Sequence, residues 1–399
     1  MSETPWLTVL GLGEDGLDGL SPASRHVLDR AEIVMGPPRH LSLIPGSKAQ
    51  RVEWPVPFAE GLPILTGFRG RRTVVLASGD PFWFGAGSVI ARSFPAAEWT
   101  ALPGQSTFSL AAARLGWPLE STLTFGLHAA PLTRLRPHLA PGLRAILLLR
   151  DGKAVAELAT YLGETGFADC ALHVMEALGG PRERARSVSL TEALLGSFEH
   201  PVCVGLDVGG TGPAFPKASG KPDDIFETDG QITKRPVRAL SLSALAPQRG
   251  EYLWDIGGGT GSISIEWLMC DPSLTATAIE PRADRAERIR RNADALGQDR
   301  LEVVQGTAPE ALGTLSAPDA VFVGGGLSAD LLTWLHANLA TGTRLVANAV
   351  TLESEALLAA WQAKLGGDLL RIELAQASAL GPRRGWKSAY PVVQWSVTL

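Results

Sequence analysis

The sequence of 399 residues contains few cysteines, little net charge and no long apolar run. Its three cysteines, Cys170, Cys203 and Cys270, stand far apart, so they have neither the spacing of a zinc site nor that of a disulfide framework. They are typical of buried thiols in a reducing compartment, and we expect no metal site. The formal net charge of -5 argues against nucleic acid as the main partner, because neutralising phosphates requires a basic surface.

The chain also lacks the features of a membrane protein or a secreted protein. No apolar run approaches the roughly eighteen residues of a membrane span, and the N-terminus has neither the basic start nor the apolar core of a cleavable signal. We therefore expect a cytoplasmic protein that binds neither membranes nor nucleic acid. What is present is an ordinary globular composition, 45% hydrophobic and 19% charged, in a chain long enough for two domains.

Short apolar runs alternate with helical patterns along both halves of the chain, which is typical of an α/β architecture. The alternation stops between residues 209 and 230, where Gly, Pro, Lys and Asp predominate and apolar periodicity is weak. We therefore predict a first α/β domain over residues 1–208, a linker over 209–230 and a second α/β domain over 231–399. In the second domain the alternation predicts a doubly wound, mostly parallel sheet.

A glycine-rich loop follows the predicted strand YLWDI in the second domain. It contains Gly257, Gly259 and Gly261, shortly after Asp255, and an apolar helical pattern begins behind it. Ligands of open α/β sheets bind beyond the carboxyl ends of the strands, where glycine lets the backbone approach and a helix start offers free N–H groups. The dinucleotide fingerprint G-x-G-x-x-G has one more residue before its third glycine than this loop has. The carboxylate of Asp255 would also repel a pyrophosphate, so both features argue against a dinucleotide. The pattern D-x-G-x-G-x-G resembles motif I of the class I S-adenosylmethionine methyltransferases.

Two further positions lie at the same predicted edge of the sheet. Glu280 ends the next strand, where a carboxylate can accept hydrogen bonds from the ribose hydroxyls of either cofactor class. Gly324 follows the strand DAVFV and faces the same crevice. The resemblance to class I methyltransferases further implies that the turn of Gly306, Thr307 and Ala308 lies against the adenine. The alternatives are that these are only tight turns, or that a nicotinamide dinucleotide binds here.

Three turns of the first half have a different pattern. They are VLGLGEDG near the N-terminus, SGDPFWFG and LPGQSTFS, and each follows a predicted strand. They resemble, in order, the glycine-rich, S/G-G-D-P and P-G-x-S-S turns of the tetrapyrrole methylases, with Thr107 in place of the second serine. That family binds S-adenosylmethionine and has a fold unlike class I. The cofactor-binding residues that this resemblance implies are Gly11, Gly13, Ser78, Gly79, Asp80, Pro81, Gly104, Ser106 and Thr107.

The turn SGDPFWFG also permits a purely structural explanation. Its first four residues are a common β-turn sequence. The aromatic residues that follow, Phe82 and Trp83, either shape the mouth of a substrate site or pack within the turn. The sequence leaves both possibilities open.

One chain that carries both kinds of methylase domain resembles the family of precorrin-6Y C-5,15-methyltransferases (decarboxylating) of cobalamin biosynthesis. The resemblance implies a bifunctional enzyme that converts precorrin-6B to precorrin-8 with S-adenosylmethionine bound at two sites per chain. By resemblance the first half methylates C-5, and the second methylates C-15 and releases the ring C acetate carboxylate as CO2. The family also implies a homo-oligomer, for which a tetramer formed through the second domain is one arrangement. The alternative is a class I methyltransferase acting on RNA, with the first half as a recruiting domain.

Such a reaction requires aligned reactants rather than a nucleophilic side chain, because the reduced macrocycle is itself nucleophilic. Decarboxylation needs a proton donor, and Glu353, just past the strand LVANAV, is the candidate catalytic residue, with a helix N-terminal charge as the alternative. The substrate carries several carboxylates, so we expect positively charged side chains to line the path by which it enters the site. The candidate substrate-binding residues, unless they are only surface charges, are Lys234, Arg235, Arg238, Arg383 and Arg384.

Overall fold

The computed structural model describes residues 5–399, so residues 1–4 of the predicted first domain lie outside the described residues. The chain divides into two compact units. The first comprises Met1–Ala130 and Ala140–Pro213, and the second comprises Pro131–Leu139 and Ala214–Leu399. Both are built of strands that alternate with helices, which confirms the predicted α/β fold class. From residue 5 onward, no helix is long and apolar enough to cross a membrane.

The first sheet of the first unit is parallel throughout. Its strands are β1 Leu7–Leu12, β2 Ile33–Gly36, β3 Gln50–Glu53, β4 Thr73–Ser78 and β5 Trp99–Leu102. They pair in the order β3-β2-β4-β1-β5. Leu7 and Val9 of the interior strand β1 enter one apolar cluster and Leu10 and Leu12 another, as expected for a parallel strand covered on both faces. The helices are α1 Pro22–Asp29, α2 Pro38–Ser42, α3 Gly61–Thr66, α4 Gly87–Ser93 and α5 Thr107–Leu115.

The second sheet of the first unit is mixed. Its strands are β6 Leu123–Gly126, β7 Arg144–Leu148, β8 Ala171–Glu176, β9 Arg184–Val188 and β10 Val202–Asp207. They pair in the order β6-β7-β10-β8-β9, and only the pair β6 with β7 is parallel among these described strands. The helices of this part are α6 Lys153–Glu164 and α7 Leu190–Leu195.

The second unit contains one seven-stranded sheet and a separate hairpin. Its strands are β11 Tyr252–Ile256, β12 Thr275–Glu280, β13 Glu302–Gln305, β14 Ala320–Val323, β15 Arg344–Ala349, β16 Asp368–Ile372, β17 Ala375–Leu380, β18 Arg383–Ser388 and β19 Val392–Thr398. The sheet order is β13-β12-β11-β14-β15-β19-β16. The first five strands of this order are parallel to one another, and β19 is antiparallel to both of its neighbours, β15 and β16. The hairpin is β17 with β18. The helices are α8 Arg235–Leu245, α9 Ser262–Cys270, α10 Ala283–Ala295, α11 Ala329–Asn338 and α12 Leu352–Leu365.

The segment 209–230, which we predicted as a linker, packs for much of its length into the second unit. Its side chains Phe215 and Phe226 are buried in the core there. The amides of Gly220 and Lys221 each donate to the buried carboxylate of Glu266 over 2.7 Å. Weak periodicity therefore marks an irregular path here, in which a few buried side chains anchor a segment whose other residues are largely exposed.

A buried ion pair holds this segment in place. Arg238 of α8 and Glu266 of α9 are 0% and 1% exposed, and the Arg238 Nε donates to a Glu266 oxygen over 2.6 Å. The same guanidinium donates to the Lys221 carbonyl over 2.5 Å and to Asp223 over 2.9 Å. Two helices and the irregular segment are thus joined through one fully satisfied network.

A short piece of the first half of the chain also belongs to the second unit. Pro131–Leu139 contains a 3-10 turn, Leu132–Leu135, and Arg134 forms a bidentate pair with Asp299 over 2.8 and 2.9 Å. A Cβ on Gly297 would lie 2.3 Å from the Thr133 carbonyl oxygen, so the backbones are in close contact. The sequence pattern did not indicate this excursion.

Candidate functional site

A cavity of ≈ 320 Å³ lies in the first unit, against the turns that follow its parallel strands β1 and β4. The start of α5 closes another side of it. Three turns that are far apart in the sequence therefore meet at one place, as the three predicted motifs require. The predicted residues that line this cavity are Gly13, Ser78, Gly79, Asp80, Ser106 and Thr107.

Gly11 and Gly104 hold these turns against one another. A side chain at Gly11 would place its Cβ 1.9 Å from the carbonyl oxygen of Gly79 and 2.3 Å from the amide nitrogen of Gly104. The Gly104 amide donates to the Gly79 carbonyl over 3.0 Å, and the Gly79 amide donates to the Leu12 carbonyl over 3.0 Å. Backbone meets backbone here, which glycine alone permits. Pro81 is likewise buried inside its turn.

Two polar side chains on the cavity wall stabilise the turns that carry them. Ser106 is the N-cap of α5, and its hydroxyl accepts a hydrogen bond from the Ser109 amide over 3.0 Å. Asp80 accepts from the Phe82 amide over 2.9 Å. Direct contacts of these side chains with a cofactor stay predictions, while their structural roles are visible.

A cluster of charged residues around the buried Glu14 carboxylate, at the same cavity, escaped the sequence-based prediction. The Glu14 side chain is 8% exposed and pairs with Arg39 and, over 3.2 Å, with Arg182. Arg39 also donates to Ser78 Oγ over 3.0 Å and contacts His40 Nε2 at 2.8 Å. Burial and the Arg39 cation lower the pKa of His40 to about 3, so this imidazole is neutral and its Nε2 accepts from the guanidinium. The available signal was an Arg-His pair directly after a buried strand, in GPPRHL.

A larger cavity of ≈ 650 Å³ lies in the second unit, at the carboxyl ends of β11, β12 and β14. The glycine loop after β11 forms one wall, and the turns after β12, β13 and β14 form others. These strands are parallel neighbours, which is why their ends meet at one edge of the sheet. The predicted residues that line this cavity are Asp255, Gly257, Gly259, Glu280, Gly306, Thr307, Ala308 and Gly324.

The three glycines of the loop serve different purposes. A Cβ on Gly257 would lie 2.6 Å from the Cα of Gly325, so this position is bare because a second glycine turn packs against it. A Cβ on Gly261 would lie 2.8 Å from Ile289, where α10 packs, and Gly261 is outside the cavity wall. A Cβ on Gly259 would meet its nearest heavy atom only at 3.9 Å. Gly259 is therefore the position at which the loop leaves room for a ligand.

Asp255 is a buried carboxylate on the wall of the second cavity, 1% exposed. The hydroxyl and the amide of Ser264 donate to one of its oxygens over 2.5 and 3.2 Å. Burial raises the pKa of Asp255 to about 6, the Ser264 hydrogen bonds oppose this, and nearby Glu280 adds to it. Among the described residues, no positively charged group contributes to this pKa shift, so the carboxylate has no cationic partner there. A positively charged ligand fits this position, because it would compensate a buried charge.

Glu280 is the second acidic group of this cavity, and it connects β12 to the glycine loop. Its two oxygens accept hydrogen bonds from the amides of Gly259 over 3.0 Å and Arg282 over 3.1 Å. A carboxylate has about four lone-pair positions, so two such contacts leave acceptors for hydroxyl groups of a ligand. The geometry suits the predicted role toward a ribose, which stays a prediction.

The structure separates the five predicted substrate cations, all of which it describes. Lys234 lines the second cavity. Arg235 is exposed at the first residue of α8, and Arg383 and Arg384 are exposed on β18, outside the cavity wall. The prediction that Arg238 binds the substrate is wrong. Its buried guanidinium donates to Glu266, Asp223 and two carbonyl groups, and it cannot contact a substrate.

Glu353, the predicted proton donor, is exposed in the first turn of α12 and is not part of the second cavity's described wall. The side chain thus corresponds to the alternative that the sequence left open, an acidic residue at a helix N-terminus. The structure supplies no contact that supports a catalytic role, which stays a prediction.

Asn348 is a polar residue of the second cavity that the predicted site did not include. Its amide donates to Ser241 Oγ over 3.0 Å, and its oxygen accepts from Gln394 over 2.9 Å. Gln394 also donates to Ser241 over 2.8 Å, and both of these residues are buried. The orientation of Asn348 is therefore fixed by β19 and α8. The signal in the sequence was an asparagine within the otherwise apolar strand LVANAV.

Comparison with known proteins identifies both halves. The family model described as tetrapyrrole (corrin/porphyrin) methylases matches residues 7–194, and the model described as a precorrin methyltransferase domain matches residues 224–399. The chain is 47% identical over 405 residues to the precorrin-6Y C(5,15)-methyltransferase [decarboxylating] of Sinorhizobium sp, which covers 99% of this chain and 97% of that relative.

Two further similarities concern the second half. The chain is 34% identical over 177 residues to the cobalt-precorrin-6B C(15)-methyltransferase (decarboxylating) of Salmonella typhimurium, which covers 43% of this chain and 91% of that relative. It is 55% identical to the solved C-terminal domain of precorrin-6Y C5,15-methyltransferase from Rhodobacter capsulatus. That match has a TM-score of 0.45 and covers 46% of this chain and 100% of the solved one.

Proposed function

The chain belongs to the family of precorrin-6Y C5,15-methyltransferases (decarboxylating), and from this premise we propose that its two cavities are separate S-adenosylmethionine sites. It is an S-adenosylmethionine-dependent methyltransferase of cobalamin biosynthesis that also decarboxylates its precorrin substrate. The observation that carries the two-site proposal is that each unit has its own cavity beside the turns of parallel strands. We assign methylation at C-5 to the first unit, and methylation at C-15 with release of CO2 to the second. The similarity of the second half to a C(15)-methyltransferase (decarboxylating) supports this division.

The residues of the second cavity fit S-adenosylmethionine by charge. When bound, this cofactor supplies an electrophilic methyl group on a positively charged sulfonium. Asp255 provides a buried negative charge that lacks a cation, and Glu280 provides free acceptor positions at the end of the neighbouring strand. Gly259 leaves the loop open between them. A pyrophosphate would instead bring further negative charge toward two carboxylates.

The residues of the first cavity fit the cofactor through the close approach of backbone. The turns at Gly13, Gly79 and Thr107 line it, and the contact of Gly11 with Gly79 and Gly104 fixes their spacing. The neutral His40 and the Arg39–Glu14 ion pair provide hydrogen-bonding groups on the cavity wall. Together they give the wall little net positive or negative charge. This site therefore depends on shape more than the second one does.

The protein's own contribution to methyl transfer is alignment. Holding the nucleophilic ring carbon in line with the methyl group can lower the barrier by roughly 7–11 kcal/mol without an acid or a base. In the second cavity, Lys234 would bind a carboxylate at the mouth, and the fixed amide of Asn348 would donate or accept on the wall. Both restrict how the macrocycle can lie against the reacting methyl group.

The activity test is a product balance for the whole chain. With precorrin-6B and S-adenosylmethionine, the protein should yield two molecules of S-adenosylhomocysteine and one of CO2 per substrate, measured by mass spectrometry. The product should gain two methyl groups and lose one carboxylate. A product with one new methyl group and an intact carboxylate would contradict the bifunctional assignment. The RNA-directed alternative predicts retention of bulk RNA on a filter at low salt, and the comparisons lend it no support.

The affinity of the second site for S-adenosylmethionine should decrease below pH 6. The pKa of Asp255 is about 6 in the folded protein, so its carboxylate is ionised above that pH and protonated below it. Since only the ionised form attracts the sulfonium, the affinity should fall by up to about tenfold per pH unit below pH 6. Isothermal titration between pH 5 and pH 8 measures this. Asp255→Asn is the control, and an equal pH dependence in that variant would assign the effect to another group.

A further inference from the structure

The turn between β4 and α4 carries three consecutive aromatic residues, and the structure separates their roles. Phe82 packs on Trp99, with ring centroids 5.7 Å apart, and is outside the described wall of the first cavity. Trp83 lines the cavity but packs on Phe108 of the core, at 5.0 Å. Phe84 also lines the cavity and also packs on Phe108, at 5.9 Å, but it is 50% exposed, whereas Trp83 is only partly exposed. Phe84 therefore presents the accessible ring.

The backbone of Phe84 is in an uncommon conformation. Its φ is +56°, in the left-handed region that bulky residues avoid, although Gly85 stands next to it. The ring lies directly over the backbone of Gly126, where an added Cβ would be 2.6 Å from Phe84 Cγ. The chain thus maintains a strained backbone and a bare glycine at the place where this ring projects. Strain of this kind is concentrated at functional positions.

The size of the first cavity indicates what the ring would face. A volume of ≈ 320 Å³ is near the lower limit for pockets that bind one small molecule. If the cofactor occupies it, the macrocycle must lie across the mouth, where half of Phe84 is exposed. The reduced macrocycle offers a broad face with unsaturated segments, and an aromatic ring can pack against such a face.

We propose that Phe84 is a substrate-binding residue of the first site, on which a face of the tetrapyrrole macrocycle lies during methylation at C-5. The inference rests on the proposed function of the first unit. The strained turn keeps the ring at the cavity mouth, and Gly126 leaves the space that it needs. Phe82, in the same turn and 43% exposed, has no part in this site.

The test compares Phe84→Gly with Phe82→Ala and Phe84→Tyr in the full-length chain. Glycine accepts φ +56° without strain, and this gain offsets the lost packing of the ring on Phe108. Phe84→Gly should therefore change the thermal midpoint little, whereas it should raise the KM for C-5 methylation roughly tenfold. Phe84→Tyr keeps the ring and should have a KM near the wild-type value. Phe82→Ala should leave this KM unchanged. The readouts are 13C incorporation at C-5 and thermal unfolding.

The outcomes distinguish this proposal from its premise. If the wild-type protein does not methylate C-5, the proposed function of the first unit fails. If it does, and Phe84→Gly has the KM of Phe82→Ala, the proposal for Phe84 fails alone. A lowered thermal midpoint that accounts for the lost activity would assign Phe84 a structural role. Weaker binding of S-adenosylhomocysteine to Phe84→Gly, measured in an Asp255→Asn background, would place the ring on the adenine instead and overturn the proposal.

Discussion

Replacing Asp255 with asparagine should suppress methylation at C-15 at cofactor concentrations near the wild-type Kd, while methylation at C-5 continues at the wild-type rate. Asparagine keeps the size of the side chain and can accept from Ser264, but it removes the negative charge on the wall of the second cavity. Loss of one member of a buried charge pair costs about 2–5 kcal/mol, which corresponds to roughly 30- to 4,000-fold weaker binding of a sulfonium. 13C NMR of the product made with methyl-labelled S-adenosylmethionine resolves the two positions.

The matched substitution in the first cavity is Thr107→Trp. Thr107 is the first residue of α5 and lines that cavity, so a large side chain should fill it without interrupting the helix. The expected pattern is the reverse, with methylation at C-5 lost and the second unit unaffected. If either variant loses both methyl groups while remaining folded, the two cavities are not independent sites. The CO2 released by Asp255→Asn also shows whether decarboxylation requires the methyl group at C-15.

The largest expected effect on stability comes from Arg238→Met. The side chain of Arg238 is 0% exposed, and its removal leaves the 1% exposed Glu266 without its cationic partner. Breaking a buried pair in this way costs about 3–5 kcal/mol, because the remaining charge stays buried. The segment around Gly220 and Lys221 would lose an anchor, and with it the support for the neighbouring wall residues 230–234. Urea unfolding followed by circular dichroism measures the change in the second unit.

A surface pair supplies the control for this measurement. Arg291 forms an equally short bidentate pair with Glu227, at 2.6 and 2.9 Å, but the two side chains are 48% and 51% exposed. Arg291→Met should therefore leave the free energy of unfolding close to the wild-type value, because an exposed pair contributes little. Equal losses from the two substitutions would mean that burial of the Arg238 network does not determine its contribution.

Local patterns in the sequence were sufficient to find the strand ends that form the sites. Asp255, Glu280 and the turn at Gly306 are separated by many residues, yet parallel pairing of β11, β12 and β13 brings their ends together, and a regular α/β alternation predicts that pairing. The three turns of the first unit lie together for the same reason, because they follow the neighbouring parallel strands β1, β4 and β5. The sequence therefore predicted reliably which residues stand at the ends of strands, and with them which residues meet at the sites.

The direction in which a side chain points was not available from the sequence. Arg238 and Lys234 are close in sequence and equally basic, but one is in the core and the other on the cavity wall, because Glu266 of another helix determines where Arg238 lies. The reason for each glycine was also not available, since Gly11 and Gly257 are in close contact with other backbone, whereas Gly259 leaves open space. Such contacts join residues that are distant in sequence, and no local periodicity reports them.

The excursion at Pro131–Leu139 has a practical consequence for dissecting the protein. The chain passes between its two units three times, so a single cut at residue 213 cannot release both of them whole. The fragment that starts at 214 would lack Arg134, leaving Asp299 without its partner and Gly297 without the backbone that covers it. A fragment that starts at 231 would in addition lack the Gly220 and Lys221 amides that satisfy Glu266. Substitutions in the intact chain keep these contacts while they separate the two activities, whereas expressed halves lose them.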